Sequence, residues 1–285
     1  EMTSSLVGSE MCIRDSCYND AGDKMKKKKL ILFDMDGTLI DWRQGIDKPT
    51  KQMFEAFQKL REHGFLVMIA SGRLLPLITV PLRGFEFDGY LLSDGAHVIL
   101  NGEEIIKEPL DHGDVERTIS LARSLTLEYG LLFKDGAYLQ KDGVIAPFLK
   151  KANFDMNKIN YEKYDDQVFK LYIHCQKKKQ NEIIEQFGCF NLAFEDDYDL
   201  IEIRNKYHSK ASGLKAILTR LEIETENTYF FGDGFNDVEI FNMVGHSYVM
   251  ENAAPELYQY GTICQPVEAD GAYLKVMEIL AEENL

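Results

Sequence analysis

Two carboxylates, Asp34 and Asp36, directly follow the short apolar run of residues 30–33, and Gly37 comes next. A short β-prone apolar run of this kind predicts a buried strand. In an open α/β sheet the chemistry lies at the carboxyl ends of the strands. Carboxylates there would suit a hard divalent cation, and the N–H groups of a glycine turn would suit a phosphate. The simpler alternative is an ordinary Asp-Gly turn after a strand.

A second acidic cluster repeats this arrangement far along the chain. Asp233, Asn236 and Asp237 lie in a glycine-rich turn after residues 228–231, which are predicted to form a strand. Two carboxylates and an amide would add the oxygen ligands that a hard cation requires and that Asp34 alone lacks.

Two further segments carry groups suited to an anion. Ser71, Gly72 and Arg73 follow the apolar residues 65–70, and a hydroxyl, a glycine N–H and a guanidinium together suit a phosphate. Lys210 stands at the start of a predicted helix, where the helix dipole and the ammonium would both hold an anion. The alternatives are a surface or salt-bridging arginine and a free surface lysine.

The elements around these residues predict a parallel sheet. Residues 30–33 and 65–70 read as strands, and residues 50–63 between them have the apolar spacing of a helix. Strand, helix and strand in this order form a right-handed βαβ unit, which brings Ser71 to the same sheet edge as Asp34. The predicted fold class is α/β, with a Rossmann-like parallel-sheet core.

An inserted unit is expected after Pro109, where the pattern changes. Residues 111–127 read as a helix, and the alternation over 168–175 predicts a strand covered on one side, with Lys170, Tyr172 and His174 on the other. Strands covered by helices on one face form an α+β unit. We therefore expect a core from residues 25–109 and 199–285 and an inserted α+β cap domain from residues 110–198.

Composition and charge exclude several function classes. The 285 residues are 45% hydrophobic and 28% charged, which is typical of a globular chain of one large or two modest domains. A net charge of −15 argues against a nucleic-acid partner, which would require a basic face. No apolar run approaches the ~18 residues that would span a bilayer, so no membrane partner is expected.

Residues 1–24 lack any helical or strand pattern and resemble translated sequencing-adapter sequence. We expect a non-native or disordered leader, with the native chain starting at Met25. The remaining cysteines, Cys175, Cys189 and Cys264, are odd in number and lack metal-ligand spacing. That usage is typical of a reducing compartment, so the expected localisation is cytoplasmic.

The sequence Asp34-Met35-Asp36-Gly37-Thr38 after a strand resembles the first motif of the haloacid dehalogenase superfamily of phosphotransferases. The superfamily's other motifs match, in order, Ser71, Lys210, and the pair Asp233 and Asp237. The insertion between the second and third motifs resembles the Cof-type phosphatase subgroup, whose members carry an α/β cap there. The resemblance covers about residues 25–285.

The resemblance implies a role for each matched residue. Asp34 would be the nucleophile that forms an aspartyl-phosphate, and Asp36 the general acid and base. Mg2+ would be the cofactor, held by the Asp34 side chain, the Asp36 backbone carbonyl and Asp233, with Asp237 acting in an outer position or through water. The phosphoryl oxygens would be held by Gly37, Ser71, Gly72, Lys210 and Asn236.

The implied activity is magnesium-dependent hydrolysis of small phosphorylated metabolites by a monomer or weak homo-oligomer. Sugar phosphates are the subgroup's commonest substrates, and flavin mononucleotide and pyridoxal phosphate stay open. Two other classes are a sugar phosphomutase and a catalytically silent phosphate-binding regulatory protein. Sugar phosphomutases with the same acid pair place their cap between the first two motifs, and the short gap there in this chain argues against that class. A silent protein would be expected to lose a motif acid, and none is missing.

One position departs from the subgroup's pattern. Many Cof-type members read Asn-Gly-Ala after the third core strand, whereas this chain has Asp94-Gly95-Ala96. Asp94 would either cap a turn, which Asp does as readily as Asn, or place a negative charge near the substrate. In the second case the charge would disfavour a second anionic group on the substrate.

Overall fold

The computed structural model describes residues 28–164 and 167–283, so the leader expected over residues 1–24 lies outside the described residues. The strands, in chain order, are β1 Lys29–Phe33, β2 Phe65–Ala70, β3 Gly89–Leu92, β4 His97–Leu100, β5 Glu103–Lys107, β6 Glu128–Leu132, β7 Ala137–Leu139, β8 Ile159–Asn160, β9 Lys170–His174, β10 Asn191–Glu195, β11 Leu200–Arg204, β12 Thr228–Gly232, β13 His246–Met250 and β14 Thr262–Cys264. The helices are α1 Lys51–Glu62, α2 Leu75–Ile78, α3 His112–Ser124, α4 Ile145–Lys151, α5 Lys177–Ile184, α6 Lys210–Leu221, α7 Val238–Phe241 and α8 Gly271–Glu283.

The core is a single sheet in the order β14-β13-β12-β1-β2-β3-β4-β5. The strands from β14 to β3 are parallel, and β4 and β5 form an antiparallel hairpin at one edge. Strand β1 lies between β2 and β12, with Phe33 in register with Ile69 and Phe231. The three strands that precede the polar motifs therefore end side by side. The predicted α/β class with a parallel-sheet core is confirmed.

Both faces of the core sheet are covered, which explains the continuous apolar sequence of β1. Alternate residues of a strand point to opposite faces. Ile31 and Phe33 pack in one cluster with residues of α1 and α8, and Leu30 and Leu32 pack in another with residues of α6 and α7. The sheet is thereby fixed as a rigid support for the loops at its carboxyl edge.

A second sheet, in the order β10-β11-β9-β6-β7-β8, is inserted between β5 and α6. One strand lies outside the expected limits of this unit. We expected β11 to lead back into the core, but it pairs with β10 and β9 in the second sheet. A short apolar strand fits either sheet, and the tight turn after β10 decides for the nearer partner. We propose that the cap comprises residues 110–204.

The second sheet was expected to be covered on one side, and the structure corrects this. Helices α3 and α5 cover one face, in a cluster that includes Ile119, Ile183 and Leu171. The opposite face, which carries Lys170 and Tyr172, is buried against the core and α4. Within the described ranges no helix is long and apolar enough to cross a membrane.

Candidate active site

Asp34 lies at the carboxyl end of β1, at the centre of the polar edge. Its backbone N–H donates to the Phe231 carbonyl oxygen at 2.8 Å, which ties the loop after β1 to β12. The carboxylate is buried, and Lys210 Nζ lies 3.0 Å from Asp34 Oδ1. Burial raises the pKa of Asp34 well above its usual value, and the Lys210 ammonium only partly opposes this.

Lys210 reaches this position because α6 begins at the sheet edge. Ser209 caps the helix through a reciprocal pair of hydrogen bonds with Ser212. The Lys210 ammonium is fully buried and lies 2.6 Å from Asp237 Oδ1 as well as near Asp34. Burial alone would lower the pKa of Lys210, but the carboxylates of Asp237 and Asp34 together raise it. The alternative of a free surface lysine is therefore wrong.

Asp237 organises the second acidic loop. Its Oδ2 accepts the backbone N–H groups of Asp233 at 3.1 Å and Gly234 at 2.9 Å, while Oδ1 accepts from Lys210. With both oxygens engaged and the side chain fully buried, Asp237 fixes the loop that presents Asp233. The Thr38 hydroxyl donates to Asp233 Oδ1 at 3.2 Å from the opposite loop.

Three carboxylates form a cluster with the chemistry of a cation site. Oxygen atoms of Asp34, Asp233 and Asp237 all lie within 4.8 Å of one another. Burial, and then the neighbouring Asp237 charge, raise the pKa of Asp233 to about 7. Such a concentration of acids beside one lysine fits a hard divalent cation, which takes carboxylate oxygens and offsets their repulsion. Asp34 and Asp233 have the freer oxygens, because those of Asp237 already accept hydrogen bonds.

Gly37 is required by its surroundings. It has a φ of +76°, and a Cβ atom at this position would lie 1.9 Å from Asp233 Oδ2. A side chain would therefore both strain the backbone and displace a carboxylate of the acidic cluster.

Ser71 and Gly72 follow β2 and line a cavity that also exposes Asp34. The Ser71 N–H donates to the Leu91 carbonyl oxygen at 2.8 Å, and its hydroxyl oxygen accepts the Arg73 N–H at 3.1 Å. These contacts hold the loop after β2 close to Asp34, the candidate nucleophile. The structure thus brings the second motif to the first, as the βαβ argument predicted.

Arg73, whose role the sequence left open, binds Asp36, the second acid of the first motif. Its Nε donates to Asp36 Oδ2 at 2.7 Å and its Nη2 to Asp36 Oδ1 at 2.6 Å. Nη1 donates to the carbonyl oxygens of Leu77 at 2.8 Å and Ala152 at 2.7 Å, the latter in the cap. Burial alone would raise the pKa of Asp36, but the Arg73 charge and hydrogen bonds outweigh it and lower the pKa.

Asn236 and Asp94 meet at the edge of the cavity. The Asn236 amide donates to Asp94 Oδ1 at 2.9 Å, and Arg204 Nη1 of the cap lies 3.2 Å from Asp94 Oδ2. The Asp94 charge is therefore paired with an arginine. Asp94 has a φ of +52°, a conformation that Asp adopts more readily than most residues, which supports its role in the turn.

The cavity between core and cap has a volume of about 260 Å3. Local sequence patterns did not predict the cap residues that line it, which are Phe148, Leu149, Ala152, Lys170, Tyr172, Glu195, Glu202 and Arg204. A signal was present in β9 and β11, where polar residues alternate with apolar ones. In β9 this alternation predicts an uncovered face of the sheet, whereas β11 was expected to lead back into the core.

Buried charges organise this cap face. Glu202 accepts from Lys170 Nζ and from Arg204 Nε, the latter at 2.8 Å. Lys170 Nζ also donates to the Gly72 carbonyl oxygen of the core at 2.9 Å. Burial alone would raise the pKa of Glu202, but the Arg204 and Lys170 charges lower it to about 2. The cap thus contacts the core through a continuous set of charged groups.

The chain is similar in sequence to several known proteins. A family described as haloacid dehalogenase-like hydrolases matches residues 31–277. "Putative phosphatase YkrA" of Bacillus subtilis is 28% identical over 265 residues, covering 88% of this chain and 97% of the relative. The HMP-PP phosphatase of Klebsiella pneumoniae is 26% identical over 250 residues, covering 80% and 86%.

Solved structures show the same fold. The HAD subclass IIB sugar phosphatase BT4131 superposes with a TM-score of 0.73 at 18% identity, covering 88% of this chain and 99% of that one. The prediction of a Cof-type member of the superfamily, with a hydrolase as its enzyme class, is confirmed. The chain belongs to the haloacid dehalogenase-like hydrolase family.

Proposed function

We propose that the protein is a magnesium-dependent phosphatase that hydrolyses small phosphorylated metabolites through an aspartyl-phosphate on Asp34. The observation that carries the proposal is the buried cluster of Asp34, Asp233 and Asp237 around Lys210, at the base of a cavity of about 260 Å3. The names of the relatives support phosphatase activity. The cavity volume favours a small leaving group.

Asp34, Asp233 and the Asp36 backbone carbonyl would hold Mg2+, and Asp237 would support them from behind. When bound, the ion would neutralise part of the charge on the phosphate and on Asp34. The ligand types fit, since all are oxygens. The phosphoryl oxygens would contact Gly37, Ser71, Gly72, Lys210 and Asn236.

In the first half-reaction, an Asp34 carboxylate oxygen attacks phosphorus while the bond from phosphorus to the leaving oxygen breaks. Asp36 donates a proton to that oxygen, so the leaving group departs as an alcohol. The Arg73 guanidinium now holds both Asp36 oxygens. Because this ion pair favours the ionised carboxylate, Asp36 must release at least one of these hydrogen bonds and take up a proton from solvent before it can act as the acid.

In the second half-reaction, a water attacks the phosphorus of the aspartyl-phosphate. Asp36, now a carboxylate, takes the proton of that water, and the bond from phosphorus to Asp34 breaks. Inorganic phosphate leaves and Asp34 is restored. The cap would exclude other water from the site during the first step.

The test is release of inorganic phosphate from p-nitrophenyl phosphate with and without Mg2+. We expect activity with Mg2+, its loss on chelation, and a loss of several orders of magnitude in Asp34→Asn, because the nucleophile itself is removed. Asp135→Asn, at an exposed turn of the cap, is the matched control. Activity of Asp34→Asn within tenfold of the wild type would contradict the proposal.

A further inference from the structure

Every basic side chain that lines the cavity within the described ranges is already ion-paired. The pairs are Arg43 with Glu195, Arg73 with Asp36, Lys170 with Glu202, and Arg204 with both Glu202 and Asp94. Three of these four cations belong to pairs in which at least one partner is buried. Binding a second anion on a leaving group would require breaking one of these pairs, which is costly in a site of low dielectric.

Tyr172 differs from these groups because its polar atom has no partner. The side chain lies on β9, is only 4% exposed and lines the cavity. Its ring packs edge-on against Phe148, with centroids 5.3 Å apart and planes at 69°. Among the described residues, no hydrogen-bond partner is found for the hydroxyl. Because Tyr172 lines the cavity, this unpartnered hydroxyl is available to hydrogen-bond an atom of a bound ligand.

The surroundings of the Tyr172 hydroxyl select the kind of atom. Burial, followed by the charges of Glu202 and Glu195, raises the pKa of Tyr172 well above its usual value, so the phenol keeps its proton. A protonated phenol can both donate and accept a hydrogen bond. A neutral hydroxyl can accept from Tyr172 and donate to a carboxylate. An anionic group would be repelled by the two glutamates, and the nearby cations, Arg73 and Arg204, are already paired with carboxylates.

We propose that Tyr172 is a specificity-determining residue that hydrogen-bonds a neutral hydroxyl of the leaving group. The cap face around it then favours uncharged, hydroxylated leaving groups over those with a second anionic group. This inference rests on the proposed phosphatase function and goes beyond it, because it assigns the selection to one side chain of the cap.

The experiment compares three substrates with the same number of carbon atoms, using the full chain with Mg2+. They are glycerol 3-phosphate, n-propyl phosphate, which lacks the hydroxyls, and 3-phosphoglycerate, which has a carboxylate. We expect kcat/KM for glycerol 3-phosphate to exceed that for n-propyl phosphate by about two- to tenfold, the effect of one or two hydrogen bonds. It should exceed that for 3-phosphoglycerate by at least about tenfold.

Tyr172→Phe removes only the hydroxyl. We expect the ratio of kcat/KM for glycerol 3-phosphate to that for n-propyl phosphate to fall toward one in this variant. Tyr198→Phe is the matched control, because the Tyr198 ring also packs on Phe148, with centroids 5.0 Å apart, but does not line the cavity. The ratio in Tyr198→Phe should equal that of the wild type.

Two results would overturn the inference while leaving the proposed function standing. One is activity on p-nitrophenyl phosphate with an equal or higher kcat/KM for 3-phosphoglycerate than for glycerol 3-phosphate in the wild type. The other is the same substrate ratio in Tyr172→Phe as in the wild type. Absence of activity on all four phosphates with Mg2+ would instead overturn the proposed function, and this inference with it.

Discussion

Asp34 and Asp36 are two residues apart, yet their charges are balanced by different partners. Asp34 shares Lys210 with Asp237 and lies in the acidic cluster, whereas Asp36 is held by Arg73. The two carboxylates therefore have opposite pKa shifts, upward for Asp34 and downward for Asp36. Their replacement by asparagine should accordingly have different consequences.

Asp36→Asn should still bind Mg2+, because the proposed ligand from this residue is its backbone carbonyl, but it should lose turnover, since an amide cannot carry the proton. Asp233→Asn should weaken Mg2+ binding, because it removes a carboxylate from the acidic cluster. Calorimetric titration and phosphate release separate the two. Loss of Mg2+ binding in Asp36→Asn with intact binding in Asp233→Asn would contradict the assigned roles.

Gly37→Ala should impair Mg2+ binding as well as stability. The new Cβ would need the space of Asp233 Oδ2. Gly45→Ala is the matched control, since Gly45 has a similar φ of +78° but a Cβ added there would meet no atom within 4 Å. The control should lose only about 1 kcal/mol of unfolding free energy from backbone strain. Equal Mg2+ affinities in the two variants would show that the contact with Asp233 is unimportant.

At the scale of elements, Arg73 connects three parts of the chain. It binds the Asp36 carboxylate after β1, the Leu77 carbonyl of α2 and the Ala152 carbonyl that follows α4 in the cap. The position of α4 and the orientation of the Asp36 side chain are thus linked through one guanidinium. A change at Arg73 should affect the proton-transfer step in particular.

Arg73→Lys should lower kcat for an alkyl phosphate more than for p-nitrophenyl phosphate, because a lysine cannot hold both Asp36 oxygens and so orients this acid less well. An alkoxide needs the proton of Asp36 to leave, whereas a nitrophenolate does not. We expect a difference of about tenfold or more between the two substrates, since general acid catalysis contributes about 100-fold or more. Arg43→Lys, which alters another contact between core and cap, should affect both substrates alike. Equal losses in Arg73→Lys would limit Arg73 to a structural role.

The loop after β3 joins core and cap through Asp94. Asp94→Asn should weaken the contact with Arg204 and leave this guanidinium without one of its two carboxylate partners. We expect kcat/KM for 3-phosphoglycerate to rise relative to that for glycerol 3-phosphate. An unchanged ratio with unchanged stability would leave Asp94 only its role in the turn.

At the scale of the whole molecule, Lys170, Glu202 and Arg204 hold the cap against the core through Gly72 and Asp94. Glu202 is buried at the centre of this set, with a pKa lowered from 4.5 to about 2. A carboxyl whose pKa is lower in the folded state stabilises the fold above its unfolded pKa. That contribution is lost as the pH falls toward 2.

Glu202→Gln should lower the unfolding free energy at pH 7 by on the order of 3 kcal/mol, because it leaves the buried Lys170 without its counter-charge. The difference between variant and wild type should shrink as the pH falls from about 5 to about 2, where Glu202 itself becomes protonated. Denaturant titrations across this pH range measure it. A difference that does not change with pH would rule out the buried ion pair as its source.

Local sequence patterns determined the strands and the acids that follow them. The apolar runs of β1 and β12 predict buried strands. The glycine-containing turns after them end the strands, so Asp34 and Asp233 are predicted to lie at the strand ends. Parallel pairing then brings strand ends together, so the acidic cluster could be predicted without coordinates. The assigned roles of these residues stay predictions until the variants are measured.

Tertiary structure alone decided the cap side of the cavity and the partner of Asp36. Alternation in β9 assigns Lys170 and Tyr172 to one face but does not say what covers that face. The bond between Arg73 and Asp36 joins residues 37 positions apart, and β11 could have paired in either sheet. Charge pairing and burial at these sites depend on how the cap docks on the core, and local sequence patterns cannot predict that docking.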